Sequence, residues 1–179
     1  KLRLLLAEKE REFILAKSNL STLQTDYLKQ NKTARPKLQL FEGRQELRQM
    51  MKDLLLYRDM TVCAFWPVET ITKLLTAEFM EEFHKRRAER NIFLKVIWSQ
   101  NQILAIKKYP FLEDLTQKRQ ARVAPVGVDF SLGYSIYGNT VRFISSSKEN
   151  FGFLVESNEL ATMIKSQWEV IWNLSKPIK

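Results

Sequence analysis

A chain of 179 residues that is 45% hydrophobic can form one domain with a real core plus an appended element. Its formal charge of +9 and pI near 9.7 suit either anionic partners or a solvated basic surface. One cysteine, Cys63, excludes an internal disulfide framework and fits a reducing compartment. With one histidine, His84, it leaves no Cys/His zinc set, so neither a metal nor a cofactor is expected. No apolar run reaches the roughly 18 residues that span a bilayer, and no signal peptide is visible. The expected location is therefore cytoplasmic, with no membrane partner. The chain begins with Lys1 rather than Met, which points to a fragment with a segment missing upstream.

Residues 1–31 contain neither Gly nor Pro and read as one long helix. Leu6, Phe13, Leu20 and Tyr27 recur every seven residues, and Lys9, Ala16, Leu23 and Gln30 follow three positions later. Such a stripe favours pairing with a second helix, because a helix this long cannot bury its apolar side alone. The pairing set is Leu6, Phe13, Leu20, Leu23 and Tyr27. "NKTARP" (31–36) is a polar linker that ends on a helix-stopping proline.

After Pro36 the pattern alternates. "KLQLF" (37–41) is a strand, Glu42-Gly43 a corner, and residues 43–57 an amphipathic helix carrying Leu47, Met50, Met51, Leu54 and Leu55. "MTVCAFW" (60–66) is a strand, residues 68–90 a helix or helix pair, and "IFLKVIW" (92–98) another strand. A short helix is expected at 100–109, a helix or loop at 111–119 and a short strand at 121–125. "FSLGYSIYGNTVRFIS" (130–145) is a hairpin turning at Gly138-Asn139. "FGFLVES" (151–157) is a strand, and the final helix carries Leu160, Ile164, Trp168, Ile171 and Trp172, capped by Ser157 or Asn158. The order predicts an α/β fold, a mixed sheet flanked by helices, after a long coiled-coil helix. Residues 1–33 form the pairing helix and linker, and 34–179 the globular domain.

Familiar catalytic patterns are missing. "FEGRQ" lacks both the GxxxxGK[ST] phosphate cradle and the GxGxxG fingerprint. His84, in "EEFHKRRAERN", reads as a solvated helical side chain. The basic run 84–90 reads as an exposed face that could meet phosphates. Glu42, Glu69, Asp114 and Asp129 stand singly near strand ends. Trp66 and Trp98 end two strands, where ligands of open α/β sheets collect, although either could simply pack in the core. The candidate pocket is Trp66, Glu69, Trp98, Gln100, Asn101 and Asp129.

"KLQLFEGRQELRQMMKDLL", "FSLGYSIYGNTVRFIS" and "FGFLVESNELATMIKSQWEVIW" together resemble the C-terminal regulatory domain of TrmB-family transcriptional regulators, over about residues 36–172. The resemblance implies a phospholipase D-like domain that senses a small molecule, a sugar or another effector. It also implies a helix that pairs two subunits into a homodimer, and DNA read by a winged helix upstream of Lys1. Phospholipase D enzymes carry H-x-K-x4-D running into a hairpin. Laid on "YGNTV" (137–141), that motif puts Phe130, Leu132 and Tyr137 at the His, Lys and Asp positions, so no catalysis is expected. The rival expectations are an active phosphodiesterase or nuclease of the same fold, a basic nucleic-acid module using Lys85, Arg86, Arg87 and Arg90, and an interaction module that works through the coiled coil alone.

Overall fold

The computed structural model describes residues 36–112 and 118–178 of the chain. The expected pairing helix, with Leu6, Phe13, Leu20, Leu23 and Tyr27, lies outside the described residues. The elements run β1 (Lys37–Glu42), α1 (Gly43–Asp53), β2 (Met60–Phe65), α2 (Val68–Leu75), α3 (Ala77–Glu89), β3 (Ile92–Trp98) and α4 (Ile103–Ile106). There follow β4 (Arg119–Val123), β5 (Gly133–Tyr137), β6 (Thr140–Ile144), β7 (Phe151–Glu156), α5 (Asn158–Leu174) and β8 (Lys176–Pro177).

The strands form one mixed sheet in the order β1-β7-β6-β5-β2-β3-β4-β8. β2, β3 and β4 pair in parallel, while β1-β7-β6-β5-β2 and β4-β8 pair antiparallel. Side chains on a strand alternate between faces, so each strand supplies two cores. Val62 and Ala64 of β2 join the layer beneath α1, α2 and α3, with Leu47, Met50, Ile71, Leu75 and Met80. Cys63 and Phe65 point the other way, toward Ala161, Trp168 and Trp172 of α5. The Trp168 indole Nε1 donates to the Ala64 carbonyl at 2.9 Å, which pins α5 across the sheet.

The Glu42-Gly43 corner is a backbone device. Gly43 has φ +75°, a region that side-chain-bearing residues rarely enter, while an added Cβ would meet nothing closer than Asn150 Nδ2 at 4.0 Å. The Glu42 amide donates to Glu46 Oε2 at 2.8 Å, tying the entering strand to the first helical turn. The next corner lies between α2 and α3 at Thr76. Its hydroxyl accepts from the Phe79 amide and from Arg48 Nη2, and Arg44 and Arg48 of α1 donate to the carbonyls of Leu74 and Leu75. The arginines of α1 thereby satisfy the carbonyl end of α2.

Several boundaries differ from the sequence expectation. The helix expected over 43–57 ends at Asp53 and tightens into a 3-10 turn, Leu54–Leu56, because Leu54 must stay in the core while the chain reverses into β2. The region 68–90 is a pair of helices. The expected helix at 100–109 is a 3-10 turn, Gln100–Gln102, followed by the four-residue α4; Ile103 and Leu104 remain exposed and give a longer helix little apolar anchorage. β4 starts at Arg119, two residues early, because pairing with Leu94 of β3 extends it. β8 is too short to leave a periodic signal.

Candidate functional site

The expected pocket residues fall into a buried pair of indoles and a polar group nearer the surface. Trp66 and Trp98 turn inward and are buried. Glu69 stays at the surface, bridged to Lys73 Nζ at 2.9 Å and Lys108 Nζ at 3.4 Å, and these ammonium groups, chiefly Lys73, hold its carboxyl below the ordinary value. Asn101 donates to Asp129 Oδ2 at 2.8 Å and accepts from the Ser99 hydroxyl at 2.7 Å. Gln100 reaches the Ala124 carbonyl at 3.5 Å. The four polar residues make a rim near the carboxyl ends of β2 and β3 in which Asn101 and Asp129 bond to each other while Glu69 and Gln100 bond to other neighbours; the two indoles line a separate inner space.

That inner space, of about 30 Å³, lies between the sheet and helices α1 and α3. Its polar lining is His84 and Arg87 from α3, Arg119 from β4, Ser135 from β5 and Arg142 from β6. His84 is the main departure from the sequence reading: it is 6% exposed rather than solvated, and Arg87 of the supposedly exposed basic run is fully buried. Lys85, Arg86 and Arg90 do lie outside, with Arg86 paired to Glu82. The signal was in the spacing. Met80, Phe83, His84 and Arg87 occupy positions i, i+3, i+4 and i+7, one face of a helix.

Burial, then Arg119, Arg87 and Arg142 in that order, holds the His84 imidazole well below its ordinary value, so it is neutral. Burial and then Arg119 push Arg87 down to about 9. Arg87 Nη1 donates to the Ile92 carbonyl and, at 3.3 Å, to that of Lys118. Arg142 is 2% exposed, donates to the Met51 carbonyl at 3.3 Å, and sits 5.8 Å from the Trp66 ring and 5.6 Å from the Tyr137 ring. Its affinity for its proton is lowered by burial and partly restored by Tyr137 and Asp53.

On the opposite face an open cleft of about 480 Å³ separates α5 from the sheet. Thr61, Lys95, Lys165, Glu169, Trp172 and Asn173 supply its polar and aromatic walls, and Cys63 its floor. Trp172 stacks on Trp168 with ring centroids 4.8 Å apart, while Arg122 lies 4.5 Å over its ring. Burial pushes the Cys63 thiol up, despite the nearby Lys165 and Lys95, so it is protonated and poorly nucleophilic. This cleft sits toward the amino-terminal end of β2, away from the rim expected from sequence. The chain gives it no recognisable motif, because α5 and the sheet meet only in the folded state.

Of the three positions laid on the phospholipase D motif, Phe130 and Leu132 carry no acid, base or nucleophile, and Tyr137 carries a phenol. Phe130 packs its ring 4.7 Å from Phe65 and 6.2 Å from Tyr134. Leu132 is half-buried just before β5. The Tyr137 hydroxyl donates to Asp53 Oδ2 at 3.0 Å and, chiefly through burial, is harder to ionise than an ordinary phenol. Among the described residues no group of three or more His, Cys, Asp and Glu side chains could hold a metal ion, and no helix is long and apolar enough to cross a membrane.

No family model and no curated protein matches the sequence. Solved structures do match. TrmBL2, described as an archaeal chromatin protein with a novel mode of DNA binding, aligns with TM-score 0.58 and 12% identity over 96% of this chain and 66% of its own. Nuc, a phospholipase D family member from Salmonella typhimurium, aligns with TM-score 0.54 and 13% identity over 81% of this chain and 99% of its own. Phosphatidylserine synthase from Haemophilus influenzae aligns with TM-score 0.53 and 10% identity over 80% of this chain and 39% of its own. The domain thus has a phospholipase D-like fold, and the chain spans slightly under two thirds of the TrmBL2 chain. At these identities the likeness describes architecture.

Proposed function

We propose that the chain is the regulatory part of a TrmB-like transcriptional regulator. In this reading it is a catalytically inactive, effector-sensing domain of a cytoplasmic protein. It pairs through Leu6, Phe13, Leu20, Leu23 and Tyr27, and acts on DNA through a winged helix preceding Lys1. The observation that carries the reading is the filling of the motif positions. Phosphodiester cleavage on this fold needs a nucleophile, an anion clamp and a proton donor. Phe130 and Leu132 offer none of these, and the Tyr137 hydroxyl is engaged by Asp53. The likeness to TrmBL2, a DNA-binding protein by its description, supports regulation over hydrolysis.

A sensor needs somewhere to hold its effector. The cleft beside α5, at about 480 Å³, falls within the roughly 300–1,000 Å³ of small-molecule sites. It joins an aromatic wall, Trp172, to hydrogen-bonding groups on Thr61 and Asn173 and to charges of both signs on Lys95, Lys165 and Glu169. The rim of Glu69, Gln100, Asn101 and Asp129 is already hydrogen-bonded to its own neighbours and is the weaker candidate. An effector shifts a pair of DNA-reading heads only if it binds their two arrangements with different affinity.

The test is native mass spectrometry of the purified chain together with turnover of a chromogenic phosphodiester. A dimer without turnover, carrying a reproducible small-molecule mass that is lost in Trp172→Ala, is the expected result. A monomer at micromolar concentration, or turnover that survives repurification, overturns the reading.

A further inference from the structure

β1 is an outer strand of the sheet, and its ladder is unfinished. Among the described residues it has one neighbour, β7. The Gly43 amide donates to the Asn150 carbonyl at 3.0 Å, one step beyond the pairing of Glu42 with Phe151, so the main chain at Gly43 is turned toward β7. Main-chain groups along a strand alternate in direction. Lys37, Gln39 and Phe41 therefore face β7 as well, and Leu38, Leu40 and Glu42 face outward. Two bonds agree with this phase. The Glu42 amide donates to its own helix, at Glu46 Oε2, and the Phe151 carbonyl accepts from the Ser145 amide on the β6 side.

The outward edge is thereby bounded. Pro36 has no amide hydrogen and that of Glu42 is already held, which leaves Leu38 and Leu40; among the described residues neither has a main-chain partner on the outer side. Their side chains are exposed too, at 69% and 60%. They stand beside Val155 and Phe153 of β7, and Phe153 stacks on Phe143 with centroids 4.7 Å apart, so an apolar row on the α5 face runs out to the sheet edge. Sheet edges are usually blunted by a charge, a proline or a covering element. Leu38-Gln39-Leu40 has none of these.

We infer that β1 is a docking edge for a second copy of this chain, paired antiparallel about a two-fold axis at Gln39. Leu38-Gln39-Leu40 reads the same in both directions. In that register Leu38 exchanges main-chain bonds with Leu40 of the second copy, and Leu40 with its Leu38. All four leucines lie on one face, and the two Gln39 side chains meet on the other. A shift of two residues either way sets a leucine against Pro36 or Glu42, whose amides have nothing to donate. The chain also supplies this partner. Residues 1–31 carry the heptad stripe and the linker ends at Pro36, directly before β1. The two Pro36 residues lie roughly 20 Å apart in this register, and a six-residue linker spans up to about 20 Å. Two six-residue strands bury less than the roughly 1,200 Å² of a stable interface, so the edge closes as a second contact once the helices pair. The inference rests on the regulatory reading for that pairing and adds the contact through which the two sheets join.

The experiment uses the full chain with one added cysteine on β1, oxidised by dissolved oxygen with a copper-phenanthroline catalyst. In the inferred register Gln39 opposes Gln39 of the second copy as a non-hydrogen-bonded pair, with Cα atoms about 4.5 Å apart, which is within disulfide reach. Lys37 lies roughly 14 Å from its counterpart, beyond that reach. The expected result is a disulfide-linked dimer that forms at least about tenfold faster in Gln39→Cys than in Lys37→Cys or in the parent, whose Cys63 is buried. Adding Leu38→Lys and Leu40→Lys to Gln39→Cys should slow it by about the same factor, because charges blunt a sheet edge. Both leucines are exposed, so the far-ultraviolet spectrum should not change. Native mass spectrometry of the reduced proteins gives the oligomeric state. A dimeric parent with equal cross-linking at positions 37 and 39 overturns the inference and leaves the helix pairing standing. A monomeric parent without cross-linking overturns both. A Gln39→Cys cross-link that the two lysines do not slow reports random collision and also overturns it.

Discussion

Acidification should destabilise this domain through one residue, His84, and the size of the effect can be worked out. His84 is the only histidine in the sequence, so no other imidazole titrates. In the native domain it packs against the rings of Phe83 and Phe111 and faces Arg87, Arg119 and Arg142. Burial first, and the guanidinium charges second, hold it well below 6.5. In the unfolded chain it titrates near the ordinary histidine value, about 6.5. Below that pH the unfolded state binds a proton that the native state does not, so ν_U exceeds ν_N and stability falls as pH falls. The contribution is fully present above the unfolded value. It is lost progressively below it, down to the depressed native value. Between about pH 7.5 and about pH 5.5 a single such proton removes about 1.4 kcal/mol. For a domain of this size that corresponds to a melting temperature lower by about 3–5 °C. The assay is thermal and urea unfolding at both pH values, at constant anion concentration, for the parent and His84→Gln. Carboxylates contribute equally to both proteins, so the difference between their pH dependences isolates the imidazole. Equal pH dependence in the two proteins would refute the reasoning and place His84 in water.

Three substitutions probe the scaffold. In Gly152→Ala the new Cβ would lie 2.6 Å from Met50 Cε, 2.8 Å from Leu47 Cδ2 and 2.9 Å from the Phe143 carbonyl oxygen. The side chains can shift but the backbone oxygen cannot, so urea unfolding should show a loss of about 1–3 kcal/mol. Ser157→Ala removes the hydroxyl that caps α5 by accepting from the Leu160 amide at 3.3 Å. Equilibrium unfolding should report about 1 kcal/mol lost, with the far-ultraviolet helix signal retained. Trp168→Phe deletes the indole N–H that reaches the Ala64 carbonyl and should lower stability by about 1–3 kcal/mol by the same measurement.

The sequence carried most of the architecture because its periods were clean. β3 falls at Ile92–Trp98, where the apolar run stood, and the hairpin turns at Gly138-Asn139 as that pair dictates. The final helix is capped by Ser157, one of the two residues read as its cap. The polar interior was harder to read. His84, Arg87, Arg119 and Arg142 are charged or titratable residues, and such residues are normally taken for surface. For His84 and Arg87 the helical spacing from Met80 and Phe83 was legible and was outvoted by the charge of "HKRR". Ser135 and Arg142 face each other across the β5-β6 hairpin, a pairing the Gly138-Asn139 turn fixes, but that they lie beside α3 is set by tertiary packing and leaves no local pattern. The α5 cleft was invisible for the same reason, since its walls are joined by tertiary packing alone.

Tyr137 connects these observations. The sequence reading laid the acidic member of the phospholipase D motif on this residue; in the structure it works as a fastener. Its hydroxyl reaches across to Asp53 at the carboxyl end of α1, and its ring lies 5.6 Å from both the Tyr57 ring and the Arg142 guanidinium. Asp53 in turn offsets part of the desolvation of Arg142. The same tyrosine also borders the cleft beneath α5. An aspartate at this position could not do this: its short side chain would fall far from Asp53, and a second carboxylate pointed toward the first would repel it. The side chain that departs most visibly from the catalytic pattern is thus tied into the packing of α1 and the balance of buried charge. Tyr137→Asp would remove that tie, and Phe130 and Leu132 would still offer no imidazole or ammonium group beside the new carboxylate.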